Sequence, residues 1–146
     1  MMESLKLMKV KLLSFLTIII CCVDPPDYND GLLGNIPAIV NENDYFSLSL
    51  NADIHTQDYT WDLDFTSTNE DTLYTSLIIK DFSSSINDSS FLILYNASDA
   101  EIFNIHLNGE TTSISDIAIE YIGNPSRLEL RSKKLSCVLD LQLIKQ

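Results

Sequence analysis

Three carboxylates share one parity around the run YTWDLDF: Asp58, Asp62 and Asp64 alternate with Tyr59, Trp61, Leu63 and Phe65. At about 3.3 Å of rise per residue, side chains two positions apart on a strand stand roughly 6.6 Å apart. Paired acids at roughly 6.5–9.5 Å are the machinery of inverting glycoside hydrolysis. That chemistry also needs one acid held neutral by burial, and nothing in this run supplies an apolar pocket for it. Acids at every second position otherwise form the wet side of a half-buried strand and discourage edge pairing. The second reading is the expected one.

The remaining reactive residues are scattered. His55 and His106 are isolated in sequence, and His106 shares parity with Asn104 opposite Phe103, Ile105 and Leu107, so it is expected to face solvent. A zinc site needs more ligands than this. No serine stands in a G-x-S-x-G elbow. Asp27, Asn29 and Asp30 before Gly31 fall one residue short of a calcium-loop spacing and lack its later glutamate, and "NED" at 69–71 reads as a turn. No metal or cofactor is expected. Asn87-Asp-Ser89 and Asn96-Ala-Ser98 match the N-glycosylation pattern, which matters only in a eukaryotic source. Arg127, Arg131, Lys133 and Lys134 make a candidate cationic binding patch, with Arg127, Glu129 and Arg131 alternating against Leu128 and Leu130. Such a patch suits a carboxylate-bearing partner or lipopolysaccharide phosphates, or simply neutralises neighbouring acids and protects a sheet edge. Most aromatics, Trp61 included, lie on apolar faces and read as core; Tyr28, Tyr45 and Tyr74 are too dispersed to form a sugar-stacking platform.

The elements that must position these residues are strands. Period-two alternation runs through FSLSL (46–50), YTWDLDF (59–65), TLYTSLIIK (72–80), FLILYN (91–96), EIFNIHL (101–107), DIAIEYI (116–122), SRLELRS (126–132) and LSCVLDLQL (135–143). Asn108-Gly109 predicts a tight type I′ hairpin, Gly123-Asn124-Pro125 a turn and SSSINDSS (83–90) a loop. About eight short strands predict an antiparallel β-sandwich, immunoglobulin-like in the broad sense, with a small lipocalin-like barrel as the alternative.

Ahead of the strands, Lys6, Lys9 and Lys11 precede an uncharged run from Leu12 to Ile20. The run is too short to span a bilayer, and a basic stretch followed by a short apolar core has the outline of a secretory signal. Met8 opens a compact signal of its own, so Met1 and Met8 are both candidate starts. The end of the run, Ile19-Ile20-Cys21-Cys22, resembles the lipobox of bacterial lipoproteins, with an aliphatic residue three before the cysteine that is lipidated. The resemblance implies lipidation at Cys22, with Cys21 as the alternative, and it covers only this N-terminal segment. The acids Asp24, Asp27 and Asp30 soon after the cysteine are similar to the signal that sends some Gram-negative lipoproteins to the outer face of the outer membrane. Pro25 and Pro26 stiffen the same stretch. The expected division is a signal over 1–21, an acidic tether over 22–42 and one β domain over 43–146.

The 146 residues carry 9 basic and 21 acidic groups, a net charge of −12. Removal of 1–21 takes three lysines and Glu3, leaving 6 basic against 20 acidic groups. Nucleic acid is thereby disfavoured, since its binding rests on neutralising phosphates. Three cysteines are an odd count for an exported chain. With Cys22 lipidated and Cys21 removed, Cys137 remains as a small core residue; a Cys21–Cys137 bridge is the competing account. The sequence therefore predicts an exported lipoprotein, held at the outer membrane on its periplasmic or cell-surface face. Its expected role is non-enzymatic binding or assembly, with a protein or glycan partner. A calcium- or carbohydrate-binding accessory module and a small hydrolase are the alternatives.

Overall fold

In a computed structural model, which describes residues 31–85 and 89–146, the alternating runs form nine strands. They are β1 (Ala38–Asn41), β2 (Tyr45–His55), β3 (Tyr59–Asp62), β4 (Thr72–Lys80), β5 (Phe91–Asn96), β6 (Glu101–His106), β7 (Thr111–Ala118), β8 (Pro125–Arg131) and β9 (Leu135–Lys145). One helical turn, α1 (Ile119–Ile122), joins β7 to β8. The expected signal, Cys21 and Cys22, the two candidate starts, the first residues of the expected tether and the Asn87 sequence match lie outside the described residues.

The strands make two antiparallel sheets, one in the order β1-β2-β9-β4-β7 and one in the order β3-β8-β5-β6. Neither closes on itself, so the protein is a β-sandwich and the lipocalin-like barrel does not form. Its connectivity is a nested hairpin: β5 pairs β6, β4 pairs β7, β3 pairs β8 and β2 pairs β9. A long hairpin folded over on itself in this way is a jelly roll. Within the broad sandwich class, that replaces immunoglobulin-like connectivity. Alternation specifies which face a strand buries and is silent on which strand it joins.

The core comes from the inward parity of both sheets. Phe46, Leu48 and Leu50 of β2 meet Leu139, Leu141 and Leu143 of β9 across the ladder, and Leu73, Leu77 and Ile79 of β4 extend the layer. Leu92 and Leu94 of β5 and Leu128 and Leu130 of β8 supply the facing layer. Each such side chain contributes roughly 1.5–3 kcal/mol by leaving water. Cys137 is a free thiol, 3 % exposed on the inner face of β9, as the small-hydrophobe reading expects. Burial pushes its pKa up to about 12. A bridge from Cys137 would require β9 to lift from the core.

Three local expectations change. Asn108-Gly109 does not close a hairpin, because β6 and β7 belong to different sheets and the pair sits in the crossover between them. The strand expected over 116–122 begins at Thr111 and ends at Ala118, where Ile119–Ile122 coil into α1 and Gly123 takes φ 75° to release the chain into β8. The sheet also includes Ala38–Asn41, from the stretch assigned to the tether, paired with Phe46–Ser49 of β2. Asn41 ties this edge strand to the opposite sheet, donating from Nδ2 to the Asp62 carbonyl at 2.9 Å and accepting from the Asp64 N–H at 3.0 Å.

Candidate functional site

The outer face of the four-stranded sheet gathers most of the residues with binding chemistry. Its register places Arg131 across from Phe91, Glu129 across from Ile93 and Arg127 across from Tyr95. One strand further, His106 stands across from Phe91 and Asn104 across from Ile93. On the other flank, Asp62 pairs with Arg127 and Thr60 with Glu129. The face therefore alternates aromatic and charged rows instead of being uniformly wet.

Its interactions are specific. The Arg127 guanidinium carbon lies 4.4 Å from the centre of the Tyr95 ring, a cation–π geometry. The same guanidinium donates from its Nη1 to Asp99 Oδ1 at 2.6 Å and from its Nε to Glu129 Oε1 at 3.3 Å. Arg131 donates from Nη2 to Glu129 Oε2 at 2.6 Å. Hydrogen bonds to Asp99 for Arg127, and to Glu129 for Arg131, raise the pKa of each guanidinium. Phe91 and His106 stack with ring centres 4.9 Å apart. Ile93 lies between these rows and is buried although it belongs to the outer parity. Its neighbours across and along the sheet shield it, as long polar and aromatic side chains do when they lie flat.

The arginines of the predicted patch are thus brought together, with partners that already neutralise them. Lys133 and Lys134 are exposed in the turn from β8 to β9 and take no part in the arginine network. Glu129 is held between two guanidiniums. Asp99 is a rim residue, 75 % exposed, and solvent screens a surface pair of that kind. An incoming carboxylate can take its place on Arg127 at little cost.

Phe91, Tyr95 and Asp99 were not singled out by sequence. FLILYN is apolar on both parities, so periodicity alone does not mark Phe91, Ile93 and Tyr95 as the outward set. The usable signal was the alternation of Arg127, Glu129 and Arg131, whose cross-strand partners need a known register.

The other candidates separate. Asp58, Asp62 and Asp64 are all exposed, and Asp58 Oδ1 accepts from the Ser132 N–H at 2.8 Å. Asp71 closes its own turn, accepting from the Thr68 N–H at 2.7 Å. Asn96 Oδ1 accepts from the N–H groups of Ser98 and Ala100, and its Nδ2 donates to the Ile122 carbonyl, so this amide organises the β5–β6 turn. His106 faces solvent as expected. His55 is 4 % exposed, stacks on Tyr59 at 5.5 Å, and has its pKa lowered by burial against an opposing pull from Asp58. Tyr45 and Tyr74 are half-buried. Among the described residues no three His, Cys, Asp or Glu side chains converge on a metal position. No helix among them is long and apolar enough to cross a membrane.

No protein-family model matches the chain, and no curated protein matches it. Among solved structures it is similar to a chain described under "Bacillus endospore appendages form a novel family of disulfide-linked pili". The two are 8 % identical with a TM-score of 0.41, over 79 % of this chain and 94 % of that one.

Proposed function

We propose that this chain is a lipid-anchored module of the cell envelope that binds, without catalysis, through the outer face of its four-stranded sheet. The observation that carries the reading is the paired arrangement on that face: Arg127 over Tyr95, and His106 on Phe91, flanking the shielded Ile93. Flat aromatic and guanidinium surfaces beside exchangeable carboxylate contacts suit a partner that is itself planar and acidic in part. A carboxylate-bearing glycan or an acidic protein loop fits that description. The order of basic, apolar, cysteine and acidic segments over residues 6–30 supports the anchor at Cys22 and the outer-membrane address.

Titration with a uronate-containing oligosaccharide and with an acidic peptide, followed by thermal shift, tests the face. Saturable stabilisation by either probe that disappears in Tyr95→Ala and in Arg127→Ala is the expected result. Stabilisation unchanged in both variants would move the site elsewhere. The mass of the mature N-terminus tests the anchor separately: a diacylated or triacylated fragment beginning at Cys22 is expected, and an unmodified Met1 or Met8 would refute it.

A further inference from the structure

A sandwich with two open sheets has four edges, and here they are unequal. β1 and β3 are four residues long, and Asn41 stitches one to the end of the other. β6 is six residues long, begins at Glu101 and carries a register irregularity against β5 at Leu94/Tyr95. Short length, charge and bulges are the usual protections of an edge. β7 is neither short nor bulged, and it carries a single charge, Asp116. It runs eight residues, TTSISDIA, in unbroken register with β4, without lysine, proline, glycine or bulge. Among the described residues no strand pairs its other side.

The hydrogen-bond phase shows what that edge offers. The Ile119 N–H donates to the Asp71 carbonyl at 3.0 Å, on the same diagonal as the β4–β7 register. Thr72 exchanges both backbone bonds with Gln146 on the far side of β4, at 2.7 and 3.0 Å. Antiparallel pairs alternate between bonded and non-bonded positions. Odd-numbered residues of β7 therefore bond to β4, and Thr112, Ile114, Asp116 and Ala118 turn their N–H and C=O groups outward. Ile114 is also 78 % exposed at the centre of the strand.

We propose that β7 pairs antiparallel with β7 of a second copy, on a two-fold axis at Ile114, joining two five-stranded sheets into one of ten. The inference goes beyond the ligand-binding reading and needs only this edge. Charge selects the partner, and charge together with the length of strand overlap selects the register. In this acidic chain the eight residues of β7 carry one charge, Asp116, so two copies meet here with little local repulsion. Outward-facing residues must pair with outward-facing residues, which leaves a small set of two-fold registers. Centring on Ser113 sets Asp116 against Glu110, centring on Ser115 sets Glu110 against Glu120, and centring on Asp116 sets that acid against itself. Centring on Ile114 sets Asp116 against Thr112 and leaves no like charges opposed. It buries the two Ile114 side chains against each other and closes about six backbone hydrogen bonds over the strand. The result is an isologous interface, closed by its own symmetry.

Residue 114 then meets itself, which gives the experiment. In sedimentation equilibrium the full chain is expected to dimerise reversibly, more tightly as sodium chloride screens the two acidic bodies. Ile114→Lys and Ile114→Glu are each expected to be monomeric with unchanged circular dichroism, and an equimolar mixture to form a one-to-one heterodimer. Ile114→Cys is expected to form a disulfide-linked dimer on mild oxidation beyond any wild-type background, since bonded pairs hold their Cα atoms near 5.5 Å. Thr112→Cys, whose mate is Asp116, is expected not to. A wild-type chain that stays monomeric at every concentration and salt overturns the proposal. So does a dimer indifferent to both charged variants, equal crosslinking of the two cysteine variants, or an edge found to be filled by a different protein.

Discussion

At the scale of single residues, His55 is the point where burial and ionisation conflict. It sits where β2 and β9 lose register between Ala52 and His55, with Ile54 at φ 49°, and it is enclosed against Tyr59. Burial lowers its pKa from the ordinary 6.5, while Asp58 pulls the other way. The folded state therefore binds fewer protons than the unfolded chain once pH falls below about 6.5. Stability should hold above that value, fall as pH drops through it, and stop falling on this account below the lowered folded pKa. Thermal melts from pH 7.5 to 5 on wild type and on His55→Phe separate this effect from the carboxylates. The variant is expected to lose the part of the slope below pH 6.5 that belongs to the imidazole. Identical slopes would show that His55 accepts its proton in place.

At the scale of elements, asparagine side chains do work that strands leave undone. Asn41 supplies a donor and an acceptor to the backbone of residues 62 and 64, and Asn35 does the same for Asp53, donating to its carbonyl and accepting from its N–H at 2.9 and 2.8 Å. Each pair imitates one rung of a ladder where no strand continues. Asn41→Ala is expected to cost about 1–2 kcal/mol, two modest hydrogen bonds at a partly wet edge, measured as a lowered urea midpoint with unchanged m-value. A change confined to a few tenths would mean that water replaces both bonds. These ties also explain what sequence could and could not reveal. Leu48, Leu50, Leu139 and Leu141 announce their inward parity by alternation, so the strands and much of the core were legible. Asn108-Gly109 and Asn41 were not, because a turn signal is local whereas sheet membership depends on partners far along the chain. The binding face stayed hidden for the same reason: Tyr95 and Arg127 meet only through the β5–β8 register.

At the scale of the whole molecule, the nested pairing dictates an order of assembly. β5 and β6 are joined by a short turn, whereas β2 must find β9, with Tyr45 opposite Ile144 across almost the entire domain. Loop-closure entropy makes the outer rungs expensive until the inner ones exist, and folds dominated by distant pairings fold slowly, in milliseconds to seconds. The β5–β6 hairpin, with β8 laid against β5, is the cheapest nucleus; β2 and β9 add their leucine layer last. Leu94→Val and Leu141→Val remove comparable buried groups, at roughly 1 kcal/mol each for one methylene and the space it leaves. Stopped-flow chevrons should divide them. Leu94→Val is expected to lower the folding rate with little effect on unfolding, and Leu141→Val to raise the unfolding rate with little effect on folding. If both variants shift the same limb equally, the hairpin does not close from its tip, and the β2–β9 pairing that completes the five-stranded sheet belongs to the transition state as well.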